Sequence, residues 1–430
     1  MRSKQKVIDA AALHSGIHEL LAVAEIDRGQ FLARNYPAVQ TLYKFLSRQD
    51  PWRSHLSTFD LFDILGGHIR SRLSVAQTGR LVHLITAGVA SDLQQEIQEY
   101  LRSLPRQYEL WVALPSMPKW GPGEISVSAN ISLVETDEET GGVPLGSLSS
   151  LLLPVTSLSP KTVYVRVQCS GLGSSSSTCT AVANGAAILK QFLAAARGFE
   201  VFSRAYYLAM LEARPASEAL LTDITGRERT TVNATLPGES LKQYLSALSI
   251  DESHLQVIDP PSPGETLVTA KHRPAVTRDE KTRELRAMLA RVTLLLDCPD
   301  NSLDATRVKT ALEWSFDSEE SDNETLAILQ ACIGLEALLG DDDKDEPLTT
   351  RLADRCAYLL GDGTEDRARI RRSFRDIYDV RSKLIHGRRP RIGAHERELL
   401  YKAQHLLRRV IQAETANFMS ALRNTLRTAQ

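Results

Sequence analysis

The spacing of apolar residues along the chain predicts where helices give way to strands. Through residues 1–103 apolar side chains recur at intervals of three and four, which predicts mainly helices. The segments STFDLFDILGGHIRSRLS and VAQTGRLVHLITAGVASDLQQEIQEYLRSL carry this pattern most clearly, and their predicted helix starts are Thr58 and Gln77. Around Pro105 the spacing changes to two, so strands are expected to follow.

Alternating or β-branched residues predict a sheet after Pro105. YELWVALP, GEISVSANISLVE and RTTVNATL are predicted strands, and KTVYVRVQCS is the strongest, with Val163, Val165 and Val167 on one face. GLGSSSST then precedes a helical segment that runs from about Thr180 to Leu211. A glycine-rich turn there can cradle phosphate, but no full nucleotide-binding fingerprint is present, so we favour a flexible loop.

From about Thr277 to the end, helical periodicity replaces the strand pattern. The predicted helices cover residues 278–296, 303–317, 322–340, 347–361, 364–386 and 394–426. Short connections between them predict a helical bundle. The residues expected to fill its core are Leu326, Leu329, Ile333, Leu335, Leu338, Leu399, Leu406, Val410 and Phe418.

The predicted fold is therefore an α+β N-terminal region followed by an all-α helical bundle, and it is predominantly helical. We place the boundary between residues 1–275 and residues 276–430, and leave open a further division near residue 104. The segment DPPSPGE, just before this boundary, has the composition of a surface loop or linker.

Composition narrows the classes of protein to consider. With 43% hydrophobic and 24% charged residues, the chain resembles ordinary soluble proteins, and a net charge of −2 excludes a uniformly basic nucleic-acid coat. Five dispersed cysteines without CxxC pairs argue for a reducing compartment. No signal peptide or membrane span is evident. We expect a cytoplasmic protein with no metal, no cofactor and no membrane partner.

One arginine near the C-terminus lies in an apolar stripe. In RRSFRDIYDVRSKLIHG, Arg381 falls near the centre of a helix face. The apolar residues of that face are Phe374, Ile377, Tyr378, Leu384 and Ile385. Because a guanidinium keeps its charge, its burial requires an ion pair, an interface or a bound anion. Glu336, in the apolar segment ACIGLEALLG, and Asp379 are the candidate partners, and a solvated Glu336 stays open.

His386 follows Arg381 by five residues, and the two side chains suit a phosphoryl-transfer reaction. Imidazole transfers protons near neutral pH, and guanidinium donors match the charge on a phosphoryl group in its transition state. Together they can cleave RNA without metal, through 2′-hydroxyl attack that leaves a 2′,3′-cyclic phosphate. By itself, His386 before Gly387 also has the simpler explanation that it complements the helix dipole.

The spacing of this pair favours a site shared between two copies. On a helix, positions five apart point about 140° apart and lie about 7.5 Å apart along the axis. Either the last turn distorts, or the site forms where two copies of the helix meet. The apolar stripe around Arg381 favours a homodimer through the C-terminal bundle.

The flanking residues predict an RNA-binding surface. Ten Lys or Arg residues lie between Arg367 and Arg391, well in excess of the acidic residues there. The predicted RNA-binding residues are Arg371, Arg372, Arg375, Lys383, Arg388 and Arg389. Tyr378 is expected to support the site by a hydrogen bond or by stacking, and Ser382 by a hydrogen bond.

The segments LAILQACIGLEALLGDD, TTRLADRCAYLLGD and FRDIYDVRSKLIHG resemble the HEPN superfamily, most closely its Apea-like branch. The superfamily signature is Arg, four to six residues, then His, here Arg381 and His386. The residue after the arginine is often Asn, Asp or His in active members and is Ser382 here. The resemblance covers residues 300–426. It implies a dimerising helical bundle and, in active members, a metal-independent endoribonuclease, often a toxin or an anti-phage effector.

Two hypotheses about function follow. The first is an RNA-cleaving effector, in which residues 1–275 sense a trigger or hold the nuclease in check. The second is a non-catalytic HEPN-type module that dimerises and binds RNA or a protein partner. The intact pair of Arg381 and His386 favours the enzyme.

Overall fold

The structure is a computed structural model of the 430-residue chain. It describes residues 10–114, 123–135, 163–173, 179–204, 218–225, 230–238, 241–242, 244–245, 248–249, 278–299, 301–340, 347–388 and 392–428. The described part is mostly helical, with an α/β N-terminal region and a helical C-terminal region, as the sequence predicts.

Most of the N-terminal stretch is helical. The helices are α1 (Ala10–Val23), α2 (Tyr36–Leu46), α3 (Trp52–His55), α4 (Thr58–Arg70), α5 (Leu81–Leu84) and α6 (Ala87–Arg102). Helix α4 begins at Thr58, as predicted, because Ser57 caps it. The Ser57 hydroxyl accepts a hydrogen bond from the Asp60 N–H, and the Asp60 carboxylate accepts one from the Ser57 N–H.

The predicted helix start at Gln77 is wrong. The Gln77 side chain instead accepts a hydrogen bond from the Ser74 N–H at 2.7 Å and stabilises a turn. Helix α6 begins after Thr86, whose hydroxyl accepts a hydrogen bond from the Val89 N–H. The short threonine side chain reaches a free N–H of the first helical turn, which explains the later start.

A small sheet was missed in the N-terminal stretch. Its strands are β1 (Glu25–Asp27), β2 (Gln30–Phe31) and β3 (Gly79–Arg80), in the order β2-β1-β3. Between β1 and β2, Gly29 has φ +71°, and a Cβ there would lie 2.7 Å from the Ser74 carbonyl oxygen. Strands this short carry too few residues for an alternating pattern to show.

The predicted strands after Pro105 are confirmed in a six-stranded sheet. Its members are β4 (Arg106–Leu114), β5 (Gly123–Ser128), β6 (Ile131–Glu135), β7 (Val163–Gly171), β9 (Glu218–Asp223) and β10 (Thr230–Thr235). The strand order is β10-β9-β4-β7-β6-β5, and β6 pairs antiparallel with both β5 and β7. Val163, Val165 and Val167 are buried together, as predicted. Strand β9 was not predicted.

Two further elements complete this region. Strands β8 (Ser203–Arg204) and β11 (Leu248–Ser249) form a two-stranded antiparallel sheet. Helix α7 (Thr180–Gly198) begins at the predicted residue, but the predicted end near Leu211 is wrong, because Glu200 has φ +60° and the chain enters strand β8 at Ser203. Residues 205–211 of its predicted extension and residues 174–178 of GLGSSSST lie outside the described residues.

Contacts divide the chain into two compact units. Unit 1 comprises Met1–Glu109, Gln168–Gly185 and Leu221–Ala234, and unit 2 comprises Leu110–Val167, Ala186–Leu220 and Thr235–Gln430. In unit 1, a core of buried aliphatic residues surrounds Trp52, whose indole N–H donates to the Leu101 carbonyl at 2.7 Å. The predicted boundary near residue 275 lies outside the described residues and stays a prediction.

All six predicted C-terminal helices are present, with ends within three residues of the predicted ones. They are α8 (Arg278–Leu296), α9 (Leu303–Glu320), α10 (Glu324–Leu339), α11 (Leu348–Leu360), α12 (Thr364–Ile385) and α13 (Ala394–Thr428). The long helix α13 packs against α9, α10, α11 and α12. Asn323 caps α10, because its side chain accepts hydrogen bonds from the N–H groups of Thr325 and Leu326.

The predicted core of these helices is correct in part. Leu335, Leu338, Leu399, Leu406 and Val410 are buried. Leu329, Ile333 and Phe418 are only half-buried. Leu326 is 47% exposed, so its prediction was wrong, and Ile328, Ala331 and Cys332 are buried instead. Apolar residues surround α10 on nearly every side, so periodicity cannot select its buried face.

Candidate functional site

Helix α12 ends in a hydrogen-bonded cap that leaves His386 exposed. Gly387 has φ +65°, a left-handed conformation that glycine adopts without strain. Its N–H donates to the Leu384 carbonyl at 3.2 Å, and the Arg388 N–H donates to the Lys383 carbonyl at 2.9 Å. These two bonds define a Schellman motif. The sequence Ile-His-Gly therefore ends the helix where predicted and presents the imidazole to solvent.

The charge of Arg381 is balanced by Glu336. The Arg381 Nη2 atom lies 2.9 Å from Oε1 of Glu336 on α10, and both side chains are about three-quarters buried. The alternative partner, Asp379, instead pairs with Lys383 one turn along α12. The arginine in the apolar stripe is thus explained by an ion pair between two helices.

Tyr378 lies beneath this ion pair. Its hydroxyl donates to the Cys332 carbonyl at 3.2 Å, and its ring stacks on Phe374 with centroids 4.5 Å apart. The Arg381 guanidinium carbon lies 5.7 Å from the centroid of the ring. Burial raises the pKa of Tyr378 well above its ordinary value. Because the ring is covered by protein, Tyr378 holds α12 against α10 and has no open face for a nucleobase.

The buried stripe of α12 is shorter than predicted. Ile370, Phe374, Ile377, Tyr378 and Val380 are buried. Leu384 is only half-buried and Ile385 is 52% exposed, which corrects their prediction as stripe residues. Arg381 therefore lies at the end of the stripe, and Ser382 after it is exposed.

The side chains of Arg381 and His386 point to different surroundings. Arg381 reaches α10, whereas His386 is exposed at the end of α12. Within the described residues, no hydrogen bond or ion pair joins the two side chains. A site that uses both therefore requires either the release of Arg381 from Glu336 or a second copy of the chain.

The predicted RNA-binding residues fall into two groups. Arg371 pairs with Asp354, and Lys383 pairs with Asp379. Arg372, Arg375 and Arg388 are exposed, and none of them forms an ion pair with a described residue. Arg389 lies outside the described residues. The second group is the part of α12 and its cap that is free to contact phosphate.

The sequence did not identify one residue that lies beside the basic residues of α12. Tyr358, on α11, is largely exposed, and the guanidinium groups of Arg367 and Arg371 both lie over its ring. The available signal was the i, i+4 spacing of the two arginines on α12. Spacing alone does not identify an aromatic partner on another helix.

Two kinds of site are absent from the described part of the chain. No group of three or more His, Cys, Asp or Glu residues there is arranged to hold a metal ion. None of its helices has the length and apolarity required to cross a membrane.

Comparison with known proteins identifies no relative. The chain matches no protein-family profile, no curated protein and no solved structure. The resemblance to the HEPN superfamily therefore depends on the sequence segments quoted above.

Proposed function

We propose that the chain is a metal-independent endoribonuclease of the HEPN type. The observation that carries this proposal is the exposed imidazole of His386 at the end of a helix on which Arg372 and Arg375 are exposed and form no ion pair with a described residue. Arg388 follows directly after the helix cap. This arrangement supports binding of an RNA phosphate next to a group that transfers protons. We further propose that the protein is a cytoplasmic toxin or anti-phage effector, and that its N-terminal region regulates the nuclease.

His386 would act as the proton-transfer group. It removes the proton from the 2′-hydroxyl, or protonates the 5′-oxygen as that bond to phosphorus breaks. The new bond between the 2′-oxygen and phosphorus closes the 2′,3′-cyclic phosphate. The other fragment leaves with a 5′-hydroxyl.

Arg381 would stabilise the charge on the phosphoryl oxygens. To do so, it must exchange the Glu336 carboxylate for a phosphate, and this ion pair is partly open to water. A pair of this kind contributes about 1 kcal/mol, so an incoming phosphate competes with it. Alternatively, the chain forms a homodimer through the C-terminal bundle, and His386 of each copy lies next to the other copy. The exposed Ile385 beside His386 offers an apolar contact between the two copies.

The ion pair itself favours a second candidate function. Glu336 balances the charge of Arg381 without any substrate, as expected of an arginine that only stabilises a bundle. In this alternative the chain is a non-catalytic HEPN-type module that binds RNA or a protein partner.

The decisive experiment compares His386→Ala with the wild type on end-labelled RNA in EDTA. His83→Ala is the matched control, because His83 is exposed on α5 in unit 1. We expect the wild type and His83→Ala to leave cyclic phosphates. His386→Ala should be slower by about 10²–10⁴-fold, which is the usual contribution of a general acid or base.

The other results separate the two functions. Cleavage that survives His386→Ala would show that His386 is not the proton-transfer group. RNA binding without cleavage by any of the three proteins would favour the non-catalytic module.

A further inference from the structure

One tyrosine of the C-terminal helices keeps its ring open to solvent beside two guanidinium groups. Tyr358 on α11 is 63% exposed. The guanidinium carbon of Arg367 lies 4.8 Å from the centroid of its ring, and that of Arg371 lies 5.5 Å away. Exposed aromatic side chains are common on protein surfaces, so the two guanidinium groups at the ring, and not its exposure alone, distinguish Tyr358.

Both guanidinium groups are held in place by other contacts. The Arg367 Nε atom donates to the Gly361 carbonyl at 3.2 Å, and Arg371 pairs with Asp354. A Cβ at Gly361 would lie 2.7 Å from Cγ of Arg367, so the glycine permits this close approach. The aromatic ring and its cations are therefore ordered before any ligand arrives, which lowers the entropy lost on binding.

A line of polar and basic residues leads from this ring towards His386. At 100° per residue, Arg371, Arg375, Ser382 and His386 fall within a sector of about 60° on α12. Arg375, Ser382 and His386 are all exposed. The fifteen residue steps from Arg371 to His386 span about 22 Å along the helix axis. A few nucleotides of an extended single strand cover such a distance.

The space beside Tyr358 has room for a nucleobase. Tyr358 forms one wall of a cleft of about 590 Å³, which Arg307, Arg355 and Asn417 also line. These side chains carry hydrogen-bond donors and, in the amide of Asn417, an acceptor. A base that stacks on the ring can therefore turn a polar edge towards them.

We propose that Tyr358 is a stacking platform for a base of single-stranded RNA, and that the RNA backbone continues past Arg375 to His386. Aromatic rings beside arginines bind unpaired bases in this way, because every base has a face that stacks. Bases within a duplex are stacked on one another and are not available. The inference rests on the proposed function and adds a binding residue: Tyr358 holds one base, a few nucleotides from the cleaved bond.

The test is a binding titration with the full-length protein. The probe is a fluorescein-labelled single-stranded 2′-O-methyl RNA, which lacks the attacking hydroxyl and so remains intact. The variants are Tyr358→Ala, Tyr358→Phe and the matched control Tyr401→Ala. Tyr401 on α13 is 67% exposed, and no guanidinium of a described residue lies over its ring. The same 2′-O-methyl sequence annealed to its complement is the duplex control.

Loss of the ring should weaken binding of the single strand by about tenfold, the usual contribution of one stacked base. Tyr358→Phe keeps a stacking face and should bind within twofold of the wild type, and Tyr401→Ala should bind like the wild type. Binding of the duplex should not depend on Tyr358. The unfolding midpoint of each variant, measured in urea, confirms that the proteins compared are folded.

Salt dependence distinguishes stacking from a phosphate contact. Arg375→Gln should lower the slope of log K against log salt by about 0.7, the value for one phosphate contact to a single strand. Tyr358→Ala should leave that slope unchanged.

Several outcomes would overturn the platform. They are no binding by the wild type, equal binding by Tyr358→Ala and Tyr401→Ala, equal losses on single strand and duplex, or a reduced salt slope in Tyr358→Ala. The proposed function fails separately, since unchanged cleavage by His386→Ala would refute the nuclease site and leave the binding result intact.

Discussion

Two groups of arginines in unit 2 differ in how their charge is balanced. Arg197 on α7 lies 2.5 Å from a carboxylate oxygen of Glu319 and 2.5 Å from one of Glu320, and the Glu320 side chain is fully buried. Its guanidinium carbon also lies 5.3 Å from the centroid of the Tyr244 ring. By contrast, Arg372 and Arg375 on α12 are exposed, and no described carboxylate pairs with them.

This difference indicates which arginines hold the fold together and which are available to a ligand. A guanidinium between two carboxylates is neutralised locally, so it creates little field outside the protein. An exposed guanidinium without a partner attracts phosphate, although salt weakens that attraction. The net charge of −2 averages over both groups and conceals the basic face of α12.

The largest effect is expected where the arginine is most enclosed. Arg197→Met keeps much of the volume but leaves Glu319 and Glu320 without this cation. We expect the free energy of unfolding to fall by about 3 kcal/mol, since removing the cation of a buried ion pair leaves buried negative charge less well compensated. Urea denaturation measures this. Arg372→Gln is the matched control, and equal stability of the two variants would contradict the comparison.

Alkaline pH should weaken the buried part of the bundle while the exposed arginines keep their charge. Burial raises the pKa of the Cys332 and Cys356 thiols to about 12 in the folded chain. Unfolded thiols ionise near pH 9, so stability is lost as the pH rises from about 9 towards 12. From pH 8 to pH 10 each thiol should lower the free energy of unfolding by about 1 kcal/mol.

Cys332→Ala provides the check on this pH dependence. The variant is less stable at both pH values because it leaves a small cavity. Between pH 8 and pH 10, the free energy of unfolding of the variant should nevertheless fall by about 1 kcal/mol less than that of the wild type. Identical losses in urea titrations would show that the Cys332 thiol contributes no pH dependence.

The contribution of Arg381 to the free energy of unfolding should lie between those of the two groups, because its pair with Glu336 is partly exposed. A double-mutant cycle with Arg381→Gln and Glu336→Gln isolates the pair. We expect a coupling energy of about 1 kcal/mol in the free energy of unfolding. A coupling energy of zero would mean that the charge of Arg381 is balanced by water rather than by Glu336.

The smallest effect on stability is expected on the exposed face of α12. Arg375→Gln should change the free energy of unfolding by less than about 0.5 kcal/mol, as is usual for surface substitutions. Thermal unfolding measures this change. A loss as large as that of Arg197→Met would show that Arg375 is structural and would remove it from the proposed path of the RNA.

Local signals made the helical bundle predictable. Asn323 caps α10 and Gly387 ends α12, and each acts on backbone groups only a few residues away. The small sheet of the N-terminal stretch was harder to predict, because it depends on pairing between distant residues rather than on local signals. Strand β1 pairs with β3 more than fifty positions away, as Glu25 does with Arg80, and β1, β2 and β3 are each too short to show a pattern.

The candidate site was predictable only in its chemistry. Residue types and spacing identified Arg381, His386 and the basic residues around them as a group. They did not show that Tyr378 is covered, that Ile385 is exposed or that Tyr358 stands beside two arginines. These properties depend on how α10, α11 and α12 pack.

The sequence by itself determined where α12 ends, that His386 lies at that end and that Arg381 needs a partner for its charge. Backbone conformation and hydrogen bonding within one turn suffice for these features. Only the tertiary structure decided that the partner is Glu336, forty-five residues earlier, and that Tyr358 meets Arg367 and Arg371. Contacts between helices depend on packing of the whole bundle, which no local pattern encodes.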